Sequence, residues 1–218
     1  STPNNRVFDM KLQSDGKIVA VGKASNTSSF SDFGIVRLNA DGSLDSDFSN
    51  DGKYTVDLGY VLDEATHLNI NTANGKILIA GETNSNLGLA MINDDGSLDT
   101  TFGTGGKMIV DFDNSLIFSG VAFQNDGKIL CGGKFSQFNG QAYSSMVRLN
   151  SNGTVDSSFN IGLGVGIPNG ILIALRSFLI NSLFLIGFGE TIFTKLSKEI
   201  NPLDYEHFDA GFRVASVI

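Results

Sequence analysis

Tryptophan is absent from this sequence, and cysteine occurs once, at Cys131. A single thiol closes no disulfide within the chain. With only two histidines, His67 and His207, there is no Cys/His cluster to build a zinc site. Charge is also scarce: Asp, Glu, Lys and Arg together make up 17% of the residues, against about a quarter in ordinary globular domains. The acids outnumber the bases 23 to 15, for a net charge of −8. No basic stripe runs through the sequence, which argues against a surface that displaces counterions from nucleic acid. Proline occurs only three times, so the turns must be made by other residues. The opening Ser1-Thr2-Pro3-Asn4-Asn5 lacks the basic start and apolar run of a signal peptide, as a mature or truncated chain also would. Long apolar runs are missing too, with one exception. Ile171 to Gly189 is interrupted by Arg176, Ser177, Asn181 and Ser182, whereas a membrane helix wants about 20 apolar residues in succession. That segment is read as two core strands, with no membrane insertion.

In place of the missing types stand 26 glycines, 17 phenylalanines and many Asn, Ser and Thr. The glycines are ordered. The phrase Asp15-Gly16-Lys17-Ile18-Val19-Ala20-Val21-Gly22 returns as Asn74-Gly75-Lys76-Ile77-Leu78-Ile79-Ala80-Gly81 and as Asp126-Gly127-Lys128-Ile129-Leu130-Cys131-Gly132-Gly133. A second phrase follows each: Asn39 to Asp45 ending at Phe48, Asn93 to Asp99 ending at Phe102, and Asn150 to Asp156 ending at Phe159. Two phrases kept in one order three times define a repeat of roughly 55 residues. A fourth copy is recognisable by register, with Asn181-Ser182 at the turn and Leu203, Asp204 and Phe208 at the end. The repeats run over about 5–63, 64–116, 117–170 and 171–212, and 213–218 has the phase of a further first strand. That last stretch implies either a piece of a longer array or an overlapping strand that closes a ring.

Each phrase has the physics of a hairpin. Asn/Asp-Gly between apolar runs supplies positive φ. Phe8, Met10 and Leu12 alternate as a strand with one buried face does, and Ile18 to Val21 reads as a strand covered on both faces. Phe33 to Leu38 and Tyr54 to Asp57 give a third and a fourth strand. No window keeps helical periodicity. Four strands per repeat predict an all-β fold, a β-propeller or propeller-like array of four-stranded blades.

The order of DGKIVAVG, RLNADGSLDSDF and DGKYTVDLG resembles the delta-60 repeat family, tandem repeats of large bacterial exported proteins and some phage proteins. The resemblance is strong from Arg6 to Phe159 and weaker beyond. It implies a propeller and an extracellular, cell-surface or virion setting, and it transfers no catalytic residue.

Asp47, Ser49, Asp51 and Gly52 have the spacing that opens an EF-hand loop, but Leu58 stands where a bidentate Glu is needed and no helices flank it. The turn reading is preferred. Asp47 and Asp51 remain as weak calcium candidates, and no other cofactor is expected. Asp45, Asp99, Asp156 and Asp204 recur at one repeat position. Carboxylates at a suitable separation can do glycosidase-type work, yet symmetry-equivalent residues in every blade point to a structural role, with bonds to the amides of the following turn. No triad, phosphate loop or dinucleotide motif is present, so no enzyme is expected; a polysaccharide lyase or hydrolase is the remote alternative. The stretches 24–32, 82–88 and 135–144 vary in length and composition, which suits recognition on a fixed scaffold. Phe135, Gln137, Phe138, Asn139, Gln141 and Tyr143 form the candidate recognition loop, with a protein or glycan surface as partner. The rival reading is a phage capsid or tail component that packs against other virion subunits.

Overall fold

In the computed structural model the described residues are 4–25, 30–111, 117–143 and 146–159, and they contain strands and turns but no helix. The fourth repeat, the segment Ile171 to Gly189, His207, Asp204 and the strand expected at 213–218 lie outside them. β1 (Arg6–Leu12), β2 (Ile18–Ser25), β3 (Ser31–Leu38) and β4 (Lys53–Val56) form one antiparallel sheet in sequence order. β5 (Asp63–Ile70), β6 (Ile77–Thr83), β7 (Asn86–Ile92) and β8 (Lys107–Val110) form the second. In the third, β9 (Ile117–Phe123) pairs with β10 (Ile129–Lys134); a small hairpin of β11 (Gln137–Phe138) and β12 (Gln141–Ala142) intervenes before β13 (Met146–Leu149) pairs with β10. The described residues are thus all-β, an array of propeller-type blades.

The turns show why each phrase is written as it is. Gly16, Gly127, Gly42, Gly96 and Gly153 all have φ between 81° and 87°. In every case the glycine N–H donates three residues back, as Gly16 does to Gln13 O at 3.0 Å, and the loop closes with Gln13 N to Lys17 O at 2.8 Å. These are three-residue hairpin loops with glycine in the left-handed position. The preceding Asp or Asn keeps ordinary φ and serves through its side chain. Asp15 Oδ1 accepts the Lys17 N–H at 3.0 Å, and Asp41 Oδ1 accepts both the Ser43 N–H at 2.9 Å and its hydroxyl at 2.6 Å.

The second blade feeds two cores. Val19, Val21, Phe33, Ile35 and Phe48 of the first blade meet Ala65, Leu68, Ile77, Ile79, Ala90 and Ile92 of the second. The opposite face of the second, with Leu78, Ala80, Leu89, Met91 and Phe102, meets Val121, Ile129, Cys131, Val147 and Leu149 of the third. Ile77 to Ala80 is therefore buried on both faces, as its unbroken apolar run predicts. The first strands β1, β5 and β9 pack against one another in succession. They are tied by side chain to backbone: the Leu68 N–H donates to Asp9 Oδ2 at 2.9 Å, and the Phe123 N–H to Asn69 Oδ1 at 3.1 Å.

One expectation is corrected. The alternating face of β1 is not buried: Phe8 is 40%, Met10 62% and Leu12 72% exposed. Alternation marks a face made to be covered. In β5 and β9 the preceding blade covers it, and no described residue lies in that position beside β1.

Candidate functional site

The recurring aspartates sit where the second phrase folds back onto the sheet. Asp45 is buried and accepts from Arg37 Nε at 2.6 Å, from Lys17 Nζ at 3.0 Å and from the Asp47 N–H at 3.2 Å. Asp156 repeats this with Arg148 Nε and Lys128 Nζ, both at 2.9 Å, and with the Ser158 N–H at 3.0 Å. In the second blade Met91 takes the arginine's place, and Asp99 holds Lys76 and the Thr101 N–H. Burial pushes the Asp45 carboxyl up, but the Lys17 and Arg37 hydrogen bonds outweigh it and hold it below the ordinary carboxylate range. Asp99 is held low in the same way by Lys76 and Thr101. At Asp156 the Ser158 hydroxyl and Lys128 lead, and the carboxyl is held far down. A carboxylate this engaged is a poor proton donor. It joins the hairpin turn of its own blade to the next segment, as the expected bonds to following amides indicate, and Arg37 and Arg148 also lie over the Phe48 and Phe159 rings at 4.7 and 4.4 Å.

The candidate recognition loop divides into anchors and tips. Phe135 and Phe138 are buried in the core between the second and third blades, with Tyr143 packed against it. Their rings interlock, Phe135 to Phe138 at 6.4 Å and Phe138 edge-on to Tyr143 at 6.3 Å. Gln137, Asn139 and Gln141 are exposed. Asn139 and Gly140 have φ of 50° and 72°, which makes the tip a tight two-residue turn. The Asn139 N–H and Asp111 O, and Asn139 Oδ1 and the Asp111 N–H, pair at 3.3 Å and moor the tip to the end of β8. The exposed part of this loop is its polar tip, and the two phenylalanines are buried.

Asp47 and Asp51 lie on turns, and Asp51 Oδ1 accepts the Lys53 N–H at 3.0 Å. Sequence reasoning did not bring together Asp32, Asp57 and Asp63, yet one oxygen of each lies within 4.8 Å of the others. Only the fold joins the start of β3, the end of β4 and the start of β5. Buried Asp63 accepts from Thr83 Oγ1 and the Leu58 N–H, and burial, aided by Asp57, raises its carboxyl above the usual range. His67 contacts Thr66 Oγ1 at 2.8 Å and meets Phe118 edge-on at 5.1 Å. Cys131 is fully buried, which pushes its thiol up to about 12. Such a thiol is chemically quiet.

A family model described as "Domain of unknown function (DUF5122) beta-propeller" matches residues 13–48, 72–102 and 124–159. The three stretches are similar to repeats of a propeller-type family. Each match ends on the recurring phenylalanine of its blade, Phe48, Phe102 or Phe159, and contains both turn phrases and the aspartate clasp. The comparison with curated proteins gives no match. Among the described residues no helix is long and apolar enough to cross a membrane.

Proposed function

We propose that this propeller array is a non-enzymatic scaffold that presents loops to a protein or glycan surface, as a module of a large exported, cell-surface or virion protein. The observation that carries the reading is the β2–β3 position of the blade, which is rebuilt in each copy while the strands around it keep one register. Between β6 and β7 it is the two-residue turn Asn84-Ser85. Between β10 and β13 it grows into a hairpin of its own, with aromatic anchors inside and Gln137, Asn139 and Gln141 outside. Variable length on a constant frame is the arrangement of recognition modules. The aspartates that a hydrolytic reading would use are committed to cations and amides, which supports binding over turnover. The double variant Gln137→Ala/Gln141→Ala removes exposed amides without touching the anchors. Binding of the full chain to a glycan array and to intact cells should fall by about tenfold, the loss of one or two hydrogen bonds. Equal binding by the variant and the parent would remove this loop from the reading.

A further inference from the structure

We infer that Asp32, Asp57 and Asp63 form a binding site for a calcium ion at the joint between the first and second blades. One carboxylate oxygen of each lies within 4.8 Å of the others, and among the described residues no other three of His, Cys, Asp and Glu gather so closely. Oxygens at that spacing can all reach one calcium, whose ligands stand about 2.3–2.6 Å from it. The donors are hard oxygens with no imidazole or thiolate among them, a set that suits neither zinc nor copper. Calcium also accepts the irregular geometry of ligands drawn from three separate segments, where magnesium asks for a near-ideal octahedron at about 2.0–2.1 Å.

Carboxylates can cluster without a metal. What singles this group out is an orphaned hydroxyl beside it. Ser31 is fully buried, and its Oγ has no hydrogen-bond partner, a costly state that a bound ion would relieve. Strand geometry aims this hydroxyl at the cluster. Ser31, Phe33 and Ile35 share the face of β3 that meets the second blade. Asp63 pairs with Thr83, on the face of the second blade that meets the first through Ala65 and Ile79. A Cβ on Gly88 would lie 3.0 Å from Phe33 Cζ and 3.2 Å from Thr83 Cγ2. The face that carries Ser31 therefore closes on the threonine that holds Asp63. The Ser31 N–H also donates to Val61 O at 3.1 Å, and Ser31 bridges to Leu62, the residue before Asp63. The hydroxyl is thus enclosed between the blades at the level of Asp63, a fourth hard oxygen for the ion.

The charges at the site favour a cation. Asp63 is buried, and the bonds it accepts from Thr83 and the Leu58 N–H bring it no positive charge. Lys107 comes near, but its Nζ donates to the backbone oxygen of Asp57, at 2.9 Å. Nor is the group a fixture of the repeat. By register, the same positions at the next joint hold Asn86, Asp111 and Leu116. There the Asn139 tip grips Asp111 instead. Blades join without three acids, so their convergence at the earlier joint has a use of its own: an ion there fastens the 57–62 link to both blades.

Calorimetric titration of the full chain with calcium chloride, after dialysis against EGTA, should show one site tighter than about 1 mM. Calcium should also raise the melting temperature, and the same concentration of magnesium should not. Asp57 is exposed, so Asp57→Asn leaves the core untouched. It should weaken calcium binding at least about tenfold, yet melt in EGTA at or above the parent's temperature, because a like charge beside Asp63 is gone. Ser31→Ala should weaken binding by about threefold or more, the loss of one ligand oxygen. The turn variant Asp47→Asn/Asp51→Asn should bind as the parent does. No calcium heat and no rise in melting temperature at about 10 mM, well above the weak end of such sites, would overturn the inference. So would binding that Asp57→Asn leaves unchanged, or that Asp47→Asn/Asp51→Asn abolishes, since the ion would then sit elsewhere. An equal response to magnesium would overturn the choice of calcium.

Discussion

At the scale of single residues, the aspartate clasp explains which positions of the repeat are fixed and which drift. Arg37 is buried, pairs with Asp45 through Nε, and reaches through Nη1 to Asp94 O at 2.6 Å and Asp94 Oδ1 at 3.0 Å in the next blade. Removing one member of a buried ion pair costs about 3–5 kcal/mol when the other is stranded. Here Lys17 also holds Asp45, just as Lys76 holds Asp99 beside Met91. Arg37→Met therefore recreates the second blade's arrangement. It should cost about 1–2 kcal/mol through the lost hydrogen bonds, while Arg37→Ala, which also empties the space over Phe48, should cost about 3 kcal/mol or more. Urea unfolding of the two variants checks the order. Equal losses would mean that the methylene packing matters less than the charge.

At the scale of elements, hairpins and strand order were legible because they rest on local chemistry. Asp15-Gly16 and Asp41-Gly42 announce turns wherever they stand. The detail of those turns was less legible: the pair announces a tight turn without giving its length, and the closing bond to Lys17 or Ser43 shows a three-residue loop. The loop at 135–143 misled in another way. Its sequence mixes Phe, Gln, Asn and Tyr without an apolar period, so nothing in it separates the anchors Phe135 and Phe138 from the exposed amides. The Asp32, Asp57 and Asp63 cluster left no local signal at all, since its members come from three strands. One turn invites improvement. Asn84 and Ser85 have φ of 46° and 70°, and left-handed backbone costs a non-glycine residue about 1 kcal/mol. Ser85→Gly should raise stability by about 0.5–1 kcal/mol, read as a higher melting temperature; a lower one would mean that Ser85 makes a contact worth more than its strain.

At the scale of the molecule, the same clasp in successive blades turns one local bond into a global acid response. Asp45, Asp99 and Asp156 are held below their unfolded values by their partners. Each contributes stability that is complete above the unfolded carboxylate pKa of about 4 and is lost as the pH falls through the lower folded value. Asp63, raised by burial, has the opposite sign: its contribution is present below the unfolded value and is lost as the pH rises through the folded one. Asp41 and Asp95, held low by the Ser43 and Ser97 hydroxyls, act in the same direction as the clasp aspartates. Five depressed groups outweigh one raised group, so the guanidinium midpoint should drop between pH 5 and about pH 3. Asp45→Asn should make that drop shallower, and Asp63→Asn should leave it in place. The bond from Ser49 to Asp95, repeated from Gly103 to Asn152, has a consequence for how such a protein is acquired. Each of the three described blades carries a phenylalanine to give and a glycine turn to receive one. A duplicated stretch of gene therefore arrives with both halves of its new joint, and the array can lengthen without any second mutation to fit the newcomer in.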